Sequence, residues 1–308
     1  EILRCLVGSE MCIRDRTYTV EEATFDSFKG IDIALFAGGS ISKDFAPHAV
    51  KAGAVVIDNS SAFRMDPEVP LVVPEVNPQA ILKHKGIIAN PNCSTIIMVM
   101  ALKPIYDLAK IKRVIVSTYQ AVSGAGKEGI DELDAQVRDH SEGREMTANI
   151  LPSASAEKHY PIAFNLIPQI DVFCDNLYTK EEMKMVNETK KIMEDYEMRI
   201  TATTIRVPVY RSHSESVNIE LEKEVDLGAM REALAKFPGV TVQDDPSKQE
   251  YPMPLYTSEK DDVYVGRLRR DESCEKSYNM WVVGDQIRKG AALNTLQIAE
   301  TMIKNGWI

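Results

Sequence analysis

Short apolar runs alternate with helical stretches through the first third of the chain. Residues 31–36 (IDIALF), 54–59 (AVVIDN) and 86–90 (GIIAN) are typical of buried strands, and the pattern over residues 42–52 predicts a helix between the first two. Strands that are apolar on both faces and separated by helices indicate a parallel sheet covered on both sides. We therefore expect the chain to begin with an α/β domain.

The next segment predicts a long buried helix. After Cys93 the run STIIMVMALKPIYDLAK is apolar nearly all round. Pro104 should bend or end this helix, because proline lacks an amide hydrogen and its ring clashes with the preceding turn.

Beyond this helix the apolar runs become longer and often alternate with polar residues, as in antiparallel strands with one solvated face. Thr179 and Glu182 form the signature of a capping box, which predicts a helix to about residue 196. Residues 287–305 predict an amphipathic helix. We expect a mixed second domain, with strands at residues 112–123, 199–210, 216–225, 262–270 and 278–285.

Composition limits the class of protein. With 308 residues, 44% of them hydrophobic, the chain can bury a large core, most readily as two domains. The formal charge of -10 argues against binding to nucleic acid or a membrane surface, but a few placed cations could still hold an anionic substrate. Because no run resembles a membrane span or a signal peptide, we expect a cytoplasmic protein.

The five cysteines are too scattered for a disulfide framework or a metal site, so we expect free thiols and no bound metal. Cys93 differs from the others in its place between a predicted strand and the first turn of a helix. Amide groups and the helix dipole at such a place lower a thiol's pKa, which predicts a nucleophile. The alternative is a buried structural cysteine, and this is what we expect of Cys5, Cys12, Cys174 and Cys274.

Five motifs carry a resemblance to a known family. NPNCSTI, SSAFR, VPEVN, QAVSGAG and GDQIRKGAALNT occur within a match that runs from about residue 17 to the end of the chain. Together they resemble the aspartate-β-semialdehyde dehydrogenase family. The resemblance implies a Rossmann-like domain in residues 1–92 and 287–308, with the last helix returning to it, and a mixed α/β catalytic and dimerisation domain in residues 93–286.

The resemblance also implies a reaction, the NADPH-dependent reductive dephosphorylation of L-aspartyl-4-phosphate to L-aspartate-4-semialdehyde in lysine, methionine and threonine biosynthesis. Cys93 would attack the acyl phosphate and form a thioester. His213 would move protons, and Gln120 would orient the substrate. Without the resemblance, His213 would be one histidine of five and Gln120 a solvated polar residue.

The implied substrate carries a phosphate, an α-carboxylate and an α-ammonium group. By resemblance Arg64 and Lys184 bind the phosphate, Arg206 the carboxylate and Glu181 the ammonium group, with Asn92 also at the substrate. From spacing alone, Glu181 and Lys184 would form an exposed ion pair on a helix, and the two arginines would be surface residues.

The cofactor implied is NADP(H), and the partners are small-molecule substrates and further copies in a homodimer or homotetramer. Residues 1–16 match no part of the family and lack its glycine-rich first loop, so we expect an N-terminally incomplete first domain, weak NADPH binding and reduced stability. Family positions near the cofactor are Gly38 and Gly39 in FAGGS, and Ser123, Gly124, Gly126 and Asn294 near the nicotinamide.

Three alternatives remain open. N-acetyl-γ-glutamyl-phosphate reductase uses the same thiol chemistry, but its acetylated nitrogen has no need of a carboxylate such as Glu181. A glyceraldehyde-phosphate-type dehydrogenase shares the thioester, although the motifs are not its signatures. An inactive interaction or dimerisation protein is the third.

Overall fold

The structure is a computed structural model and describes residues 10–13 and 16–308. Within this range Glu10–Ile13 (β1) pairs antiparallel with Arg16–Thr19 (β2). The expectation that residues 1–16 are foreign to the family falls mostly on residues 1–9 and 14–15, outside the described residues. The same is true of the expectations for Cys5 and for the side chain of Cys12. Cys174 is half-buried and Cys274 is exposed, so the expectation of a buried structural cysteine is wrong for Cys274.

A three-stranded parallel sheet forms the first domain. It is built from Ile33–Phe36 (β3), Val55–Asp58 (β4) and Ile87–Ala89 (β5), in that spatial order. The helix Ser42–Lys51 (α1) covers one face, where its buried alanines pack with Val56. The three predicted strands, the helix and the parallel arrangement are confirmed.

The long apolar helix begins at the predicted nucleophile. Cys93–Leu108 (α2) is capped by Asn92, whose side chain accepts a hydrogen bond from the Thr95 amide at 3.2 Å. Pro104 lies inside the helix, which continues to Leu108, so the helix does not end at the proline, and the alternative of a bend stays a prediction. The missing hydrogen bond is tolerated because eleven side chains of the helix are buried, and this packing holds the helix together on both sides of the proline.

The second domain contains a six-stranded mixed sheet in the order β7-β6-β8-β11-β10-β9. All five predicted strands are confirmed, and so is the mixed second domain. Alternation suggested antiparallel strands, but β6 pairs parallel with β7 and β10 pairs parallel with β9. Alternation records which face is buried and carries no information on strand direction. The strands are Ile111–Gln120 (β6), Arg199–Arg206 (β7), His213–Leu221 (β8), Val240–Val242 (β9), Val263–Arg270 (β10) and Ser277–Gly284 (β11).

Within the described residues the second domain contains four further helices, and one of them was predicted. Lys180–Ile192 (α4) begins with the predicted capping box of Thr179 and Glu182, and ends four residues earlier than expected. The other three had no helical prediction and are Lys127–Ser141 (α3), Leu227–Lys236 (α5) and the short Pro254–Thr257 (α6).

The chain ends with a π-helical turn, Arg288–Ala292, that leads into Leu293–Asn305 (α7). Ile298 and Met302 of α7 pack with Ile57 and Ile88 of the parallel sheet, on the face opposite α1. The last helix therefore covers the first domain. No helix in the described part of the chain is long and apolar enough to cross a bilayer.

Candidate active site

The predicted nucleophile and the predicted acid–base residue are in contact. Cys93 Sγ lies 3.5 Å from His213 Nε2. Cys93 begins α2 and His213 begins β8, so two residues 120 positions apart meet where a helix and a strand start. His213 is fully buried, whereas Cys93 is half-buried and its thiol is free.

The protonation of this pair differs from the sequence-based expectation. Burial, and then the charge of Glu181, raise the pKa of the Cys93 thiol to about 12, while Arg64, the Ser94 amide and Arg206 act against them. The expectation of a lowered pKa at the helix N-terminus is therefore wrong. The helix end contributes in the expected direction, but it is outweighed by desolvation.

Burial, together with the charge of Arg206, holds the pKa of His213 well below its usual range. The Ala121 amide donates a hydrogen bond to His213 Nδ1 at 3.1 Å. A neutral imidazole that accepts at Nδ1 carries its proton on Nε2. His213 is therefore neutral, and its Nε2–H faces the sulfur.

Glu181 is the anionic centre of the cluster. Its Oε1 accepts hydrogen bonds from Asn92 Nδ2 at 2.9 Å and from Gln120 Nε2 at 3.2 Å, and its Oε2 lies 3.1 Å from Lys184 Nζ. Burial opposes ionisation, but Lys184, Asn92 and Gln120 together lower the pKa of Glu181. The side chain is a buried carboxylate, which differs from the exposed helix ion pair that spacing alone suggested.

The three predicted cations occupy different environments. Lys184 lies between Glu181 and Asp171, 3.0 Å from the Asp171 carboxylate. Arg64 Nη1 lies 3.2 Å from Glu188, and Arg64 Nη2 donates to the Asn59 carbonyl at 2.8 Å.

Arg206 is only 4% exposed and donates from Nη1 to the Ala121 carbonyl at 2.7 Å. Its buried Nε has no hydrogen-bond partner among the residues that the structure describes. Burial lowers the pKa of Arg206, while Glu181 and Cys93 oppose this shift. A buried guanidinium with an unpaired N–H is suited to an anionic ligand.

The predicted cofactor residues lie in three places. Gly38 and Gly39 are exposed at the end of β3, where Gly39 has φ 66. Ser123, Gly124 and Gly126 belong to a turn beside the cluster, and a Cβ added at Gly124 would lie 2.7 Å from Arg206 Nη1.

Asn294 is fully buried. It donates to the Val72 carbonyl at 3.0 Å and to Asn90 Oδ1 at 2.7 Å, and accepts from Lys289 Nζ at 3.0 Å. Its polar atoms therefore join α7 to the first domain. Within the described ranges no group of histidine, cysteine and acidic residues could hold a metal ion.

Three residues at the site were missed. Glu188 bonds to Arg64, and its position seven residues after Glu181, on the same helical face, was a usable signal. Asp171, which has φ 68, gave no signal before the fold was known. Gly290 lies against the nucleophile, because a Cβ added there would be 3.0 Å from Cys93 Cβ.

Comparison with known proteins identifies the family. Residues 102–289 match the model of the semialdehyde dehydrogenase dimerisation domain, and residues 8–84 match that of the semialdehyde dehydrogenase NAD binding domain. An aspartate-semialdehyde dehydrogenase of Aquifex aeolicus is 56% identical over 305 residues, which span 98% of this chain and 88% of the relative. The chain belongs to the aspartate-semialdehyde dehydrogenase family. The match to the NAD binding model begins at residue 8, so the expectation that residues 1–16 match no part of the family is wrong for residues 8–16.

Other members of the family agree. An aspartate-semialdehyde dehydrogenase of Bacillus subtilis is 52% identical over 299 residues, covering 96% of this chain and 86% of the relative. The crystal structure of aspartate semialdehyde dehydrogenase II from Vibrio cholerae, complexed with ASA, has a TM-score of 0.89 and 44% identity, and the match covers 97% of this chain and 88% of that one. The expected fold class, a parallel-sheet NAD-binding domain with a mixed-sheet dimerisation domain, is confirmed.

Proposed function

We propose that the chain is an NADP-dependent aspartate-semialdehyde dehydrogenase that converts L-aspartyl-4-phosphate to L-aspartate-4-semialdehyde through a thioester on Cys93. The observation that carries the proposal is the contact of Cys93 Sγ with His213 Nε2 at 3.5 Å, beside the buried Glu181 and Arg206. The relatives favour this function over N-acetyl-γ-glutamyl-phosphate reductase and over an inactive interaction protein. Glu181 supports the same choice, because a free α-ammonium group needs a carboxylate.

Each charged group of the substrate has a complementary residue. Arg206 binds the α-carboxylate with its unpaired guanidinium edge, and the ionised Glu181 binds the α-ammonium group. Arg64 and Lys184 bind the phosphate. In the structure both cations contact carboxylates of the protein, and the phosphate oxygens would accept some of their hydrogen bonds. Asn92 and Gln120 hold Glu181 in place.

The protonation of the pair determines how protons move. Because His213 Nε2 already carries a proton, His213 does not remove the proton of the Cys93 thiol. Sulfur attacks the acyl carbon, the bond from that carbon to the phosphate oxygen breaks, and the thiol proton leaves with the phosphate. His213 Nε2–H donates a hydrogen bond to the oxygen that becomes negative when the thioester is reduced. When that oxygen re-forms the carbonyl group, the carbon–sulfur bond breaks, the aldehyde leaves, and the Cys93 sulfur takes up a proton from solvent.

The residues present fit a dinucleotide. The exposed Gly38 and Gly39 follow a strand of the parallel sheet, the usual place for a dinucleotide phosphate, and the Ser123–Gly126 turn borders the cysteine–histidine pair. When bound, NADPH supplies the hydride that reduces the thioester. A homodimer is the assembly that we propose, since residues 102–289 match a dimerisation domain, and light scattering would distinguish it from a tetramer.

The test is phosphate-dependent oxidation of aspartate semialdehyde with NADP⁺, followed by absorbance. Cys93→Ser should lose at least about a thousandfold in kcat, because serine is a far weaker nucleophile. Cys274→Ser, at an exposed cysteine, is the matched control and should keep wild-type activity. Absence of phosphate-dependent turnover in the wild type would refute the proposed function.

A further inference from the structure

Glu188 connects the phosphate-binding arginine to the nucleophile. Its Oε1 lies 3.2 Å from Arg64 Nη1, and its Oε2 accepts a hydrogen bond from the Asn92 amide at 2.6 Å. Asn92 is the residue before Cys93 and caps α2. One carboxylate therefore holds both a substrate-binding side chain and the backbone that carries the sulfur.

The position of Glu188 on α4 explains how it reaches both groups. Glu181, Lys184, Glu188 and Lys191 are spaced by three or four residues and lie on one face of the helix. The Lys191 ammonium group donates to the carbonyls of Arg64 and Val69, both at 2.8 Å. The same face of α4 thus holds the backbone of the Arg64 segment through Lys191, and the Arg64 side chain through Glu188.

The burial of Glu188 indicates that its ion pair with Arg64 is not an incidental surface contact. The side chain is 2% exposed, and burying a carboxylate is unfavourable unless its partners compensate for the lost hydration. Burial raises the pKa of Glu188, and Arg64 and the Asn92 amide oppose this effect. Both of its oxygens are engaged in directed contacts with the two groups that must meet the acyl phosphate.

We propose that Glu188 is a positioning residue that fixes the Arg64 guanidinium relative to the Asn92–Cys93 turn. When Arg64 binds the phosphate group of the acyl phosphate, the acyl carbon of the substrate then faces the sulfur. This inference rests on the proposed function. The carboxylate acts through Arg64 and Asn92, and it does not touch the reacting atoms.

The experiment measures kcat, KM for phosphate and KM for aspartate semialdehyde in Glu188→Gln and Glu188→Asp. Glutamine keeps the shape but places an uncharged amide beside Arg64. We expect a rise of about tenfold or more in KM for phosphate and a fall of up to about 100-fold in kcat, since misplacement by 1 Å can have that effect. KM for aspartate semialdehyde should stay within about twofold. Glu188→Asp keeps the charge and should recover part of both losses.

Glu194→Gln is the matched control, because it removes one acidic side chain just beyond α4 from an exposed ion pair with Lys83. It should leave all three constants unchanged. In an Arg64→Gln background, Glu188→Gln should change KM for phosphate much less than in the wild type, because the two residues act together.

A readout that needs no turnover is the protection of Cys93 from iodoacetamide by inorganic phosphate. Glu188→Gln should require about tenfold more phosphate for half-protection. Wild-type constants in Glu188→Gln, or a Glu188→Asp variant no better than glutamine, would overturn the inference while leaving the proposed function intact. A wild type with neither turnover nor protection by phosphate would overturn both.

Discussion

At the scale of single residues, the cysteine–histidine pair is held in an uncharged form. Burial and Glu181 raise the pKa of Cys93 to about 12, and burial with Arg206 holds the pKa of His213 well below its usual range. A neutral thiol is protected from unwanted alkylation and oxidation, which proceed through the thiolate. In the proposed reaction, the nucleophile therefore forms only as the substrate reacts.

This protonation state predicts how Cys93 reacts with iodoacetamide. Because only the thiolate reacts and the pKa is near 12, the alkylation rate of the free enzyme should rise about tenfold per pH unit from pH 7 to 10. Free cysteine, with a pKa of about 8.5, should level off within the same range. Quantification of the Cys93 peptide by mass spectrometry measures the rate, and a plateau below pH 9 would show that the thiolate is stabilised after all.

Gly290 gives a second prediction at this scale. A Cβ at this position would lie 3.0 Å from Cys93 Cβ and 3.3 Å from Cys93 Cα, so one of the two backbones must move by a few tenths of an ångström. Gly290→Ala should lower kcat/KM by about tenfold or more, because the attack geometry depends on such distances. The thermal midpoint should change little, and wild-type kinetics would mean that the π-helical turn can move aside without cost.

At the scale of secondary-structure elements, the central strand β8 contains a buried acid that the proposed reaction does not use. Glu215 is fully buried, and neither of its carboxyl oxygens has a hydrogen-bond partner within the described residues. Burial raises its pKa well above the usual range. The folded protein therefore keeps Glu215 protonated at pH values at which the unfolded chain has lost that proton.

The sign of the resulting pH effect follows from linkage. Between the unfolded pKa of about 4.3 and the raised folded pKa, the native state binds one more proton than the unfolded state, so the free energy of unfolding falls as pH rises. Glu215→Gln removes the titration. Urea unfolding from pH 5 to 9 measures the free energy of unfolding of both proteins. Relative to the wild type, the variant should become more stable as pH rises. If the difference between the two proteins does not change with pH, Glu215 is not the group that causes the effect.

The elements also show what the sequence could and could not predict. The strands of the first domain and the capping box were predictable because local apolar runs and side-chain spacing determine them. The parallel pairing of β6 with β7 was not, because two helices, α3 and α4, lie between these strands in the chain and the direction of return is a tertiary property. α3 was missed because its fifteen residues are mostly polar and only four are buried.

The same distinction holds for the site. The family resemblance placed Cys93, His213, Glu181 and Arg206 together. The contact of Cys93 with His213, and the effect of the Glu181 and Arg206 charges on the pKa of Cys93, agree with it. The protonation of the pair could not be predicted, since burial depends on everything that packs around the sulfur. Asn294, assigned by resemblance to the nicotinamide, has its polar atoms bound within the protein, so its role there stays a prediction.

At the scale of the whole molecule, the C-terminal segment joins the nucleophile to the first domain. The π-helical turn lies against Cys93 through Gly290, and α7 packs on the parallel sheet through Ile298 and Met302. Lys289, next to Gly290 and 1% exposed, lies 2.5 Å from Glu75, 3.0 Å from Asn294 and 2.7 Å from Gln297. A buried ion pair thus fixes the turn that touches the active site.

The ion pair of Lys289 with Glu75 should stabilise the folded protein. Lys289→Met leaves Glu75, which is 11% exposed, without its cation and should lower the free energy of unfolding by about 3 kcal/mol. Adding Glu75→Gln should restore much of the loss, because the unpaired charge is removed. Lys304→Met is the matched control, since Lys304 pairs with Glu300 on the exposed side of α7 and should contribute less than about 1 kcal/mol. Urea denaturation of the four proteins measures these differences, and equal losses for Lys289→Met and Lys304→Met would show that the ion pair does not hold the C-terminal segment in place.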